Sequence, residues 1–289
     1  MEEKPILGII GGSGFYDFPG LQNIQTAEVD TPYGKPSAPI VTGALHERRV
    51  AFLARHGLGH TLMPTEVNYR ANIYALKALG VQFVVGVSAC GSLRHDFIPG
   101  HMVVPDQLVD FTRGRTASFF GDGLVAHVGV ADPLCKELSA LLVTAADQSQ
   151  ANVHKGGVFI TIEGPRFSTR AESNLFRAWG ISIIGMTACP EAFLAREAEL
   201  SYAILAHITD YDVWHITEAP VSVEMVIRTL SENTQKASET LSNLVKLLPE
   251  RADCSCTHAL ADAIISDRAH IHPEALKKLG LLVEKYLPS

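Results

Sequence analysis

Apolar residues along this chain fall into two alternating patterns. Residues 6–10, 82–87 and 201–208 are short, almost unbroken apolar runs, and 49–54, 102–105, 157–162 and 181–185 have the same character. Runs of that length, rich in β-branched side chains, predict strands covered on both faces. Between them the period lengthens to three and four residues. From Pro64 to Gly80, Val67, Ala71, Tyr74, Ala75 and Ala78 mark a helix. Leu134, Leu138, Leu141, Leu142 and Ala145 mark a second within 133–150, and Val223, Val226, Ile227, Leu230, Leu241, Leu244, Val245 and Leu248 a long one over 221–248. Thr169 and Glu172 stand in capping-box spacing at the start of a helix over 169–179, and Pro190 opens another that runs to Glu199. Strands alternating with helices predict an α/β fold, a single domain with a central, mostly parallel or mixed β-sheet flanked by helices. Residues 107–131 read as a long connection, of a length usually reserved for function or an interface.

The polar residues of interest sit where the apolar runs stop. Residues 201–208 end in Thr209, Asp210, Tyr211 and Asp212, which places two carboxylates at the C-terminal end of a strand, where open α/β sheets bind ligands. The first run enters Gly11-Gly12-Ser13-Gly14, whose amides and hydroxyl suit an anion, although a plain tight turn fits equally well. Arg55 and His56 follow residues 49–54, and a guanidinium there is a natural fork for phosphate, though a lone Arg-His pair is more often a surface feature. Ser88, Ala89 and Cys90 follow 82–87, with Cys90 read as a buried small hydrophobe. Met186 and Thr187 follow 181–185. Phe167 could stack on a heterocycle, while on its own a core phenylalanine is the better reading. Asp210 or Asp212 alone would be read as a turn cap. Taken together, Arg, Ser, Thr and glycine amides suit an anion and the aspartates suit a ligand with N–H donors. That combination outlines a phosphorolysis site.

Composition narrows the classes. Across 289 residues the chain is 47% hydrophobic and 19% charged, with a formal charge of -7 and no basic block, so a compact fold is expected and a nucleic-acid partner is not. No apolar run approaches the roughly 20 residues that span a bilayer, and Met1-Glu2-Glu3-Lys4 leads directly into a strand, so no membrane association and a cytoplasmic location are expected. Cysteines at 90, 135, 189, 254 and 256 are an odd, sparse set that suggests neither a disulfide framework nor a metal site. No Gly-x-Gly-x-x-Gly can be laid on the first turn, which argues against a nicotinamide-dependent oxidoreductase.

Six motifs occur in order: Gly11-Gly12-Ser13-Gly14, Ala54-Arg55-His56-Gly57, Val67-Asn68-Tyr69-Arg70-Ala71-Asn72, Ala89-Cys90-Gly91-Ser92-Leu93-Arg94, Ile162-Glu163-Gly164-Pro165-Arg166-Phe167-Ser168 and Thr209-Asp210-Tyr211-Asp212. On these the chain resembles the 5'-deoxy-5'-methylthioadenosine phosphorylases, a trimer-forming branch of the purine nucleoside phosphorylases, from about residue 6 to 248. The resemblance implies a nucleoside phosphorylase-like domain over residues 1–250 and a tail over 251–289 carrying Cys254-Ser255-Cys256 and a short helix. It implies a phosphate site at Ser13, Arg55, His56, Ser88, Ala89 and Thr187, and a base site at Phe167, Ser168, Asp210 and Asp212. Met186 would lie against the ribose, and His127, Val223, Val226 and Ile227 would form the 5'-alkylthio pocket, with the His127 equivalent supplied by a neighbouring subunit. The assembly implied is a homotrimer or a dimer of trimers. Inorganic phosphate is then a co-substrate and no cofactor is expected. In some thermophilic relatives a similar Cys-x-Cys forms a labile disulfide. Here Cys254 and Cys256 are read as reduced or labile, or simply as two tail thiols. Residues 257–289 lie outside the resemblance, and their apolar side, Leu276, Leu279, Leu282 and Val283, could pack on a neighbour or cover the site.

The activity implied is phosphorolysis of methylthioadenosine to adenine and 5-methylthioribose 1-phosphate, a purine and methionine salvage step. Asp210 is the candidate for protonating N7, and carboxylates favour a 6-amino over a 6-oxo purine. The nearest alternative is the same chemistry on 6-oxopurine nucleosides or methylthioinosine. An alternative of another class is a nucleoside-binding sensor without turnover.

Overall fold

The computed structural model describes residues 4–13, 15, 18, 20–215 and 222–287, the side chains of 225–233 excepted. In chain order the elements are β1 (Leu7–Gly11), β2 (Gln22–Ala27), β3 (Ile40–Leu45), β4 (Arg48–Ala54), α1 (Tyr69–Ala78), β5 (Phe83–Ser92), β6 (Met102–Val104), β7 (Gln107–Phe111), α2 (Lys136–Gln148), β8 (Val153–Lys155), β9 (Val158–Ile162), α3 (Arg170–Ala178), β10 (Ile183–Gly185), α4 (Ala188–Glu197), β11 (Ser201–Asp210), α5 (Val223–Leu247) and α6 (Pro273–Val283). Among the described residues eleven strands join in one mixed sheet. The expected α/β architecture is therefore present.

β5 organises the sheet. Its first half pairs in parallel with β1, from Phe83 to Gly86, while β11 lies parallel along its other side from Phe83 to Gly91. Its last residues, Gly91 and Ser92, pair antiparallel with β10 instead. The sheet thus parts between the C-terminal end of β1 and β10, and a crevice opens where strand order changes. Parallel pairing with two neighbours requires cover on both faces, and Leu7, Ile9, Ile10, Val84, Val85, Ala203, Ile204 and Leu205 all lose their entire exposure.

A local irregularity shapes the end of β11. His207 pairs with Ala89 and Ile208 with Cys90, but Asp210, not Thr209, pairs with Gly91, so Thr209 is an extra residue in the ladder. Such a bulge re-aims the side chains that follow it.

Several boundaries differ from the sequence reading. The helix expected from Pro64 starts at Tyr69, because the Asn68 side chain accepts a hydrogen bond from the Ala71 amide and sets the cap there. β5 continues through Ser88-Ala89-Cys90, so these residues lie within a strand and not beyond one. Residues 107–131 are not one unbroken connection, since β7 pairs in parallel with β9. The capping box at Thr169 and Glu172 forms as expected. The tail packs on its own chain: Leu260, Leu279, Leu282 and Val283 are buried, the last three in the same cluster as the sheet residues. Each such burial stabilises by about 1.5–3 kcal/mol, which makes residues 251–287 a working part of the domain.

Candidate active site

The crevice at the sheet's parting is a cavity of about 450 Å³, and it gathers residues from β1, β4, β5, β9, β10 and β11 and the loops after them. Ser13, Arg55, His56, Ser88, Ala89 and Thr187 line it, as do Phe167, Ser168, Asp210 and Asp212. Met186 and Val223 complete its wall. A larger, more open hollow of about 800 Å³ between α2 and α5 is lined by residues such as Gln148, Gln235 and Lys246 and brings together no comparable set of acids and anion donors.

Arg55 has no solvent exposure, contrary to what a lone Arg-His pair suggests. Its Nε donates to Glu191 Oε2 at 2.7 Å and its Nη2 to Glu191 Oε1 at 2.8 Å. Nη1 donates to the Val87 carbonyl at 2.9 Å, and Nη2 reaches the Ile10 carbonyl at 3.4 Å. Of the five guanidinium N–H groups, these four bonds leave one on Nη1 for a ligand. The fork therefore grips Glu191, and Arg55 offers an oxyanion a single donor where a bidentate clamp was expected. Burial alone would push the guanidinium's pKa down, but the charge and hydrogen bonds of Glu191 raise it above its ordinary value. Tyr202 also donates to Glu191 Oε1, at 2.7 Å. Gly12 is required beside this pair, since a Cβ there would lie 2.6 Å from the Val87 oxygen and 2.8 Å from Arg55 Nη1.

His56 donates from Nδ1 to the Leu62 carbonyl at 2.9 Å and stacks on His60 with ring centroids 4.3 Å apart. Burial and then the Arg55 charge push its pKa down to about 4, so at neutral pH it is an uncharged imidazole. With Nδ1 carrying the proton, Nε2 is an acceptor suited to a phosphate that retains a proton. Thr187 occupies the cap position of α4 without making a side-chain capping bond, which leaves its hydroxyl for a ligand.

At the opposite wall Asp210 and Asp212 are both buried. Asp210 Oδ2 accepts from the Thr209 hydroxyl and Oδ1 from the Asp212 amide, each at 2.7 Å. Burial raises its pKa against these two bonds. Burial likewise raises Asp212 to about 6, with the Asp210 charge adding to the rise. Asp212 Oδ2 and the hydroxyls of Ser168 and Ser173 are buried without a hydrogen-bond partner, the serines lying near enough to oppose the rise without closing a bond of normal geometry. Buried polar atoms left in this way mark a place for a ligand's own polar groups. Gly91 makes room here, since a Cβ on it would sit 2.9 Å from Asp210 Oδ1. Phe167 is 37% exposed on the cleft wall, so it is no core residue. Cys90 is buried, as expected of a small hydrophobe.

Sequence reasoning missed two residues. Glu191 is one, and Arg115 is the other, lying in the stretch read as a connection. Arg115 Nη1 donates to the Met186 carbonyl at 2.6 Å and the Cys189 carbonyl at 2.8 Å, while Nη2 donates to the Glu163 carbonyl at 2.8 Å. It thereby fixes the segments carrying Met186 and residues 163–168 relative to each other. No motif flagged it, because its partners lie 46 to 74 residues away.

His127 does not line the cleft of its own chain. It is exposed, its amide donates to the Ala263 carbonyl at 2.8 Å, and the adjacent Ala126 bridges Ile264. The side chains of Val226 and Ile227 lie outside the described residues. Among the described residues one set of side chains is placed to hold a metal ion, Cys135, Cys254 and Cys256, and it lies outside the cleft. No helix of the described residues is long and apolar enough to cross a membrane.

The sequence profile of the phosphorylase superfamily matches residues 6–247. An S-methyl-5'-thioadenosine phosphorylase of Geobacter sulfurreducens is 50% identical over 285 residues, 98% of this chain and 100% of its own length, and one from Synechocystis is 47% identical over 100% of this chain and 89% of its own. The similarity therefore extends through the tail and does not stop at residue 248. Among solved structures, a methylthioadenosine phosphorylase from an antarctic soil metagenomic library superposes with a TM-score of 0.92 at 46% identity, covering 97% of this chain and 99% of that one. The methylthioadenosine phosphorylase of Schistosoma mansoni in complex with adenine superposes at 0.79 with 40% identity, covering 84% and 92%.

Proposed function

The chain belongs to the phosphorylase superfamily, and on that footing we infer that its cleft cleaves 5'-deoxy-5'-methylthioadenosine with inorganic phosphate, releasing adenine and 5-methylthioribose 1-phosphate. It is an enzyme of the pentosyltransferase class, with phosphate as co-substrate and no other cofactor. The observation that carries this reading is the meeting, in one cavity, of an anion end at Arg55, His56 and Thr187 with a buried carboxylate pair at Asp210 and Asp212.

The division of labour follows from where charge develops. As the C1'–N9 bond breaks, its electron pair passes to the purine and the sugar becomes cationic, so a donor at N7 and an anion below C1' both favour the transition state. Asp210, its pKa raised by burial, supplies the N7 proton and is left as a carboxylate. A phosphate oxygen forms the new bond to C1'. The Arg55 N–H, the Thr187 and Ser88 hydroxyls and the Ser13 turn hold that phosphate in line, and the Ala89 backbone borders it. Phe167 packs on the purine face and Met186 on the ribose. Ser168 contributes its unpartnered hydroxyl to the base. Asp212 accepts from the exocyclic 6-amino group. A 6-oxo purine would need Asp212 protonated, and an acid of pKa about 6 is roughly one-tenth protonated at pH 7, so adenine is favoured over hypoxanthine.

Val223, with Val226 and Ile227 beside it in the sequence, supplies apolar contact for the 5'-methylthio group, and His127 serves a neighbouring copy's cleft in a homotrimer or dimer of trimers. The position of His127 outside its own cleft supports that assembly. A cytoplasmic location, with products passing to purine and methionine salvage, fits five unpaired thiols. Incubation with methylthioadenosine, with and without phosphate, tests the reading. Release of adenine together with 5-methylthioribose 1-phosphate, strictly dependent on phosphate, is expected. Release that ignores phosphate, or binding with no release, would overturn it.

A further inference from the structure

Three thiols, one of them 119 residues or more from the other two in sequence, meet at the end of the molecule away from the cleft. Cys135 caps the N-terminus of α2, and in the tail Cys254 caps a short 3-10 turn over Ser255–His258 that contains Cys256. The Cys135 and Cys254 sulfurs are 3.6 Å apart, and all three sulfurs lie within 4.8 Å of one another. Cys135 and Cys256 are each 2% exposed, and Cys254 is half-buried. Ser201 Oγ stands 3.0 Å from Cys254 Sγ, and Glu137 Oε2 3.4 Å from Cys135 Sγ.

We propose that Cys135, Cys254 and Cys256 form a binding site for one thiophilic d10 cation, zinc(II) or copper(I). With one pair of sulfurs 3.6 Å apart and the others no more than 4.8 Å apart, an ion equidistant from all three sits roughly 2.1–2.6 Å from each, a span that includes the zinc–thiolate bond length of about 2.3 Å. Thiolates select these soft cations over magnesium or calcium. Each thiol releases its proton to solvent as the cation enters, and the three thiolates with zinc(II) carry one net negative charge. The Arg196 guanidinium, which acts electrostatically on Cys256 and is anchored by Nη2 to the Asp132 carbonyl at 2.7 Å, offsets that charge. The fourth position of a zinc tetrahedron falls to the Ser201 hydroxyl, the Glu137 carboxylate or water. Copper(I) is satisfied by the three sulfurs alone.

The site is structural. Ser201 begins β11 and Asp210 ends it, so the thiols lie about 30 Å from the carboxylates along the strand. A bound ion ties the tail to α2 and to the start of β11. The same tail carries Ala263 and Ile264, which hold residues 126 and 127.

The full chain, reduced and stripped with a chelator, is titrated without oxygen with zinc(II), with copper(I), and with cobalt(II) as a chromophoric probe, in competition with an indicator chelator. One equivalent of zinc(II) or copper(I) per chain is expected, with a thiolate-to-cobalt charge-transfer band and a thermal midpoint that rises on zinc addition. Cys135→Ser and Cys254→Ser should each weaken binding at least tenfold. Cys135 is buried and its variant could misfold, so Cys254→Ser at the half-buried position, with circular dichroism and unchanged kcat for phosphorolysis, keeps the comparison clean. Wild-type affinity no tighter than that of Cys254→Ser, or thiols that alkylate at the same rate with and without excess metal, would overturn the proposal.

Discussion

The two ends of the cleft are finished to different degrees. At the anion end Arg55 arrives already paired: Glu191 takes its fork, backbone carbonyls take two more N–H groups, and His56 is neutral and bonded to Leu62. At the base end Asp212 Oδ2 and the Ser168 hydroxyl, both on the cleft lining, have no partner, and both carboxylates are pushed toward the protonated form by burial. The first end is held rigid by compensated charge. The second stores the cost of desolvated polar groups until a purine supplies their complements. The contrast separates residues that build the site from residues that await the substrate.

The sharpest test of the awaiting end is Asp210→Asn, which keeps the shape and removes the transferable proton. Turnover should fall about a hundred- to ten-thousand-fold, with binding of adenine largely kept, as read from steady-state kinetics and calorimetry. A loss under threefold would assign the proton elsewhere. At the built end, Glu191→Gln strands a buried guanidinium and should cost about 3–5 kcal/mol in denaturant unfolding. Phosphate should then raise the thermal midpoint of Glu191→Gln more than that of the unaltered protein, because the anion replaces the missing countercharge. Equal shifts would mean that Arg55 does not face the anion.

A third test uses pH. Asp212 has a folded pKa near 6 against an ordinary value of about 4, so between those values the folded state holds a proton that the unfolded chain has released. This contribution makes the empty protein more stable as pH falls through 6 and is lost as pH rises, by up to about 3 kcal/mol. Asp212→Asn should flatten that part of the stability profile, and an unchanged profile would place the shifted acid elsewhere. The same variant should also change base choice. Exchanging an acceptor for an amide that can donate is expected to raise the ratio of methylthioinosine to methylthioadenosine turnover by about 10- to 100-fold. A ratio that stays put would remove Asp212 from recognition of the 6-position.

Much of this was legible from the chain, and for a physical reason in each case. The apolar run into Asp210 and Asp212 is visible because a doubly covered strand tolerates almost no polar residue until it leaves the sheet. The cap at Thr169 is visible because both halves of the box lie within four residues. Glu191 was not, since its partner Arg55 is 136 positions away and a glutamate in a helix reads as solvated. β2 escaped notice because it is an exposed edge strand, and β7 because its residues are half-buried or exposed, so neither carries a clear apolar alternation. The thiol cluster escaped for the same reason as Glu191: Cys135 and Cys254 are 119 residues apart.

The extra residue in β11 has a consequence for heredity and design. In a regular strand neighbouring side chains point to opposite faces, yet Thr209 and Asp210 bond to each other through their side chains at 2.7 Å. Parity along the strand is therefore reset at Thr209. Deleting that single codon would leave every acidic residue in the gene and keep Asp210 opposite Gly91, yet it would remove the hydroxyl that holds Asp210 Oδ2 and straighten the bend that aims it, a lesion invisible to any inventory of carboxylates.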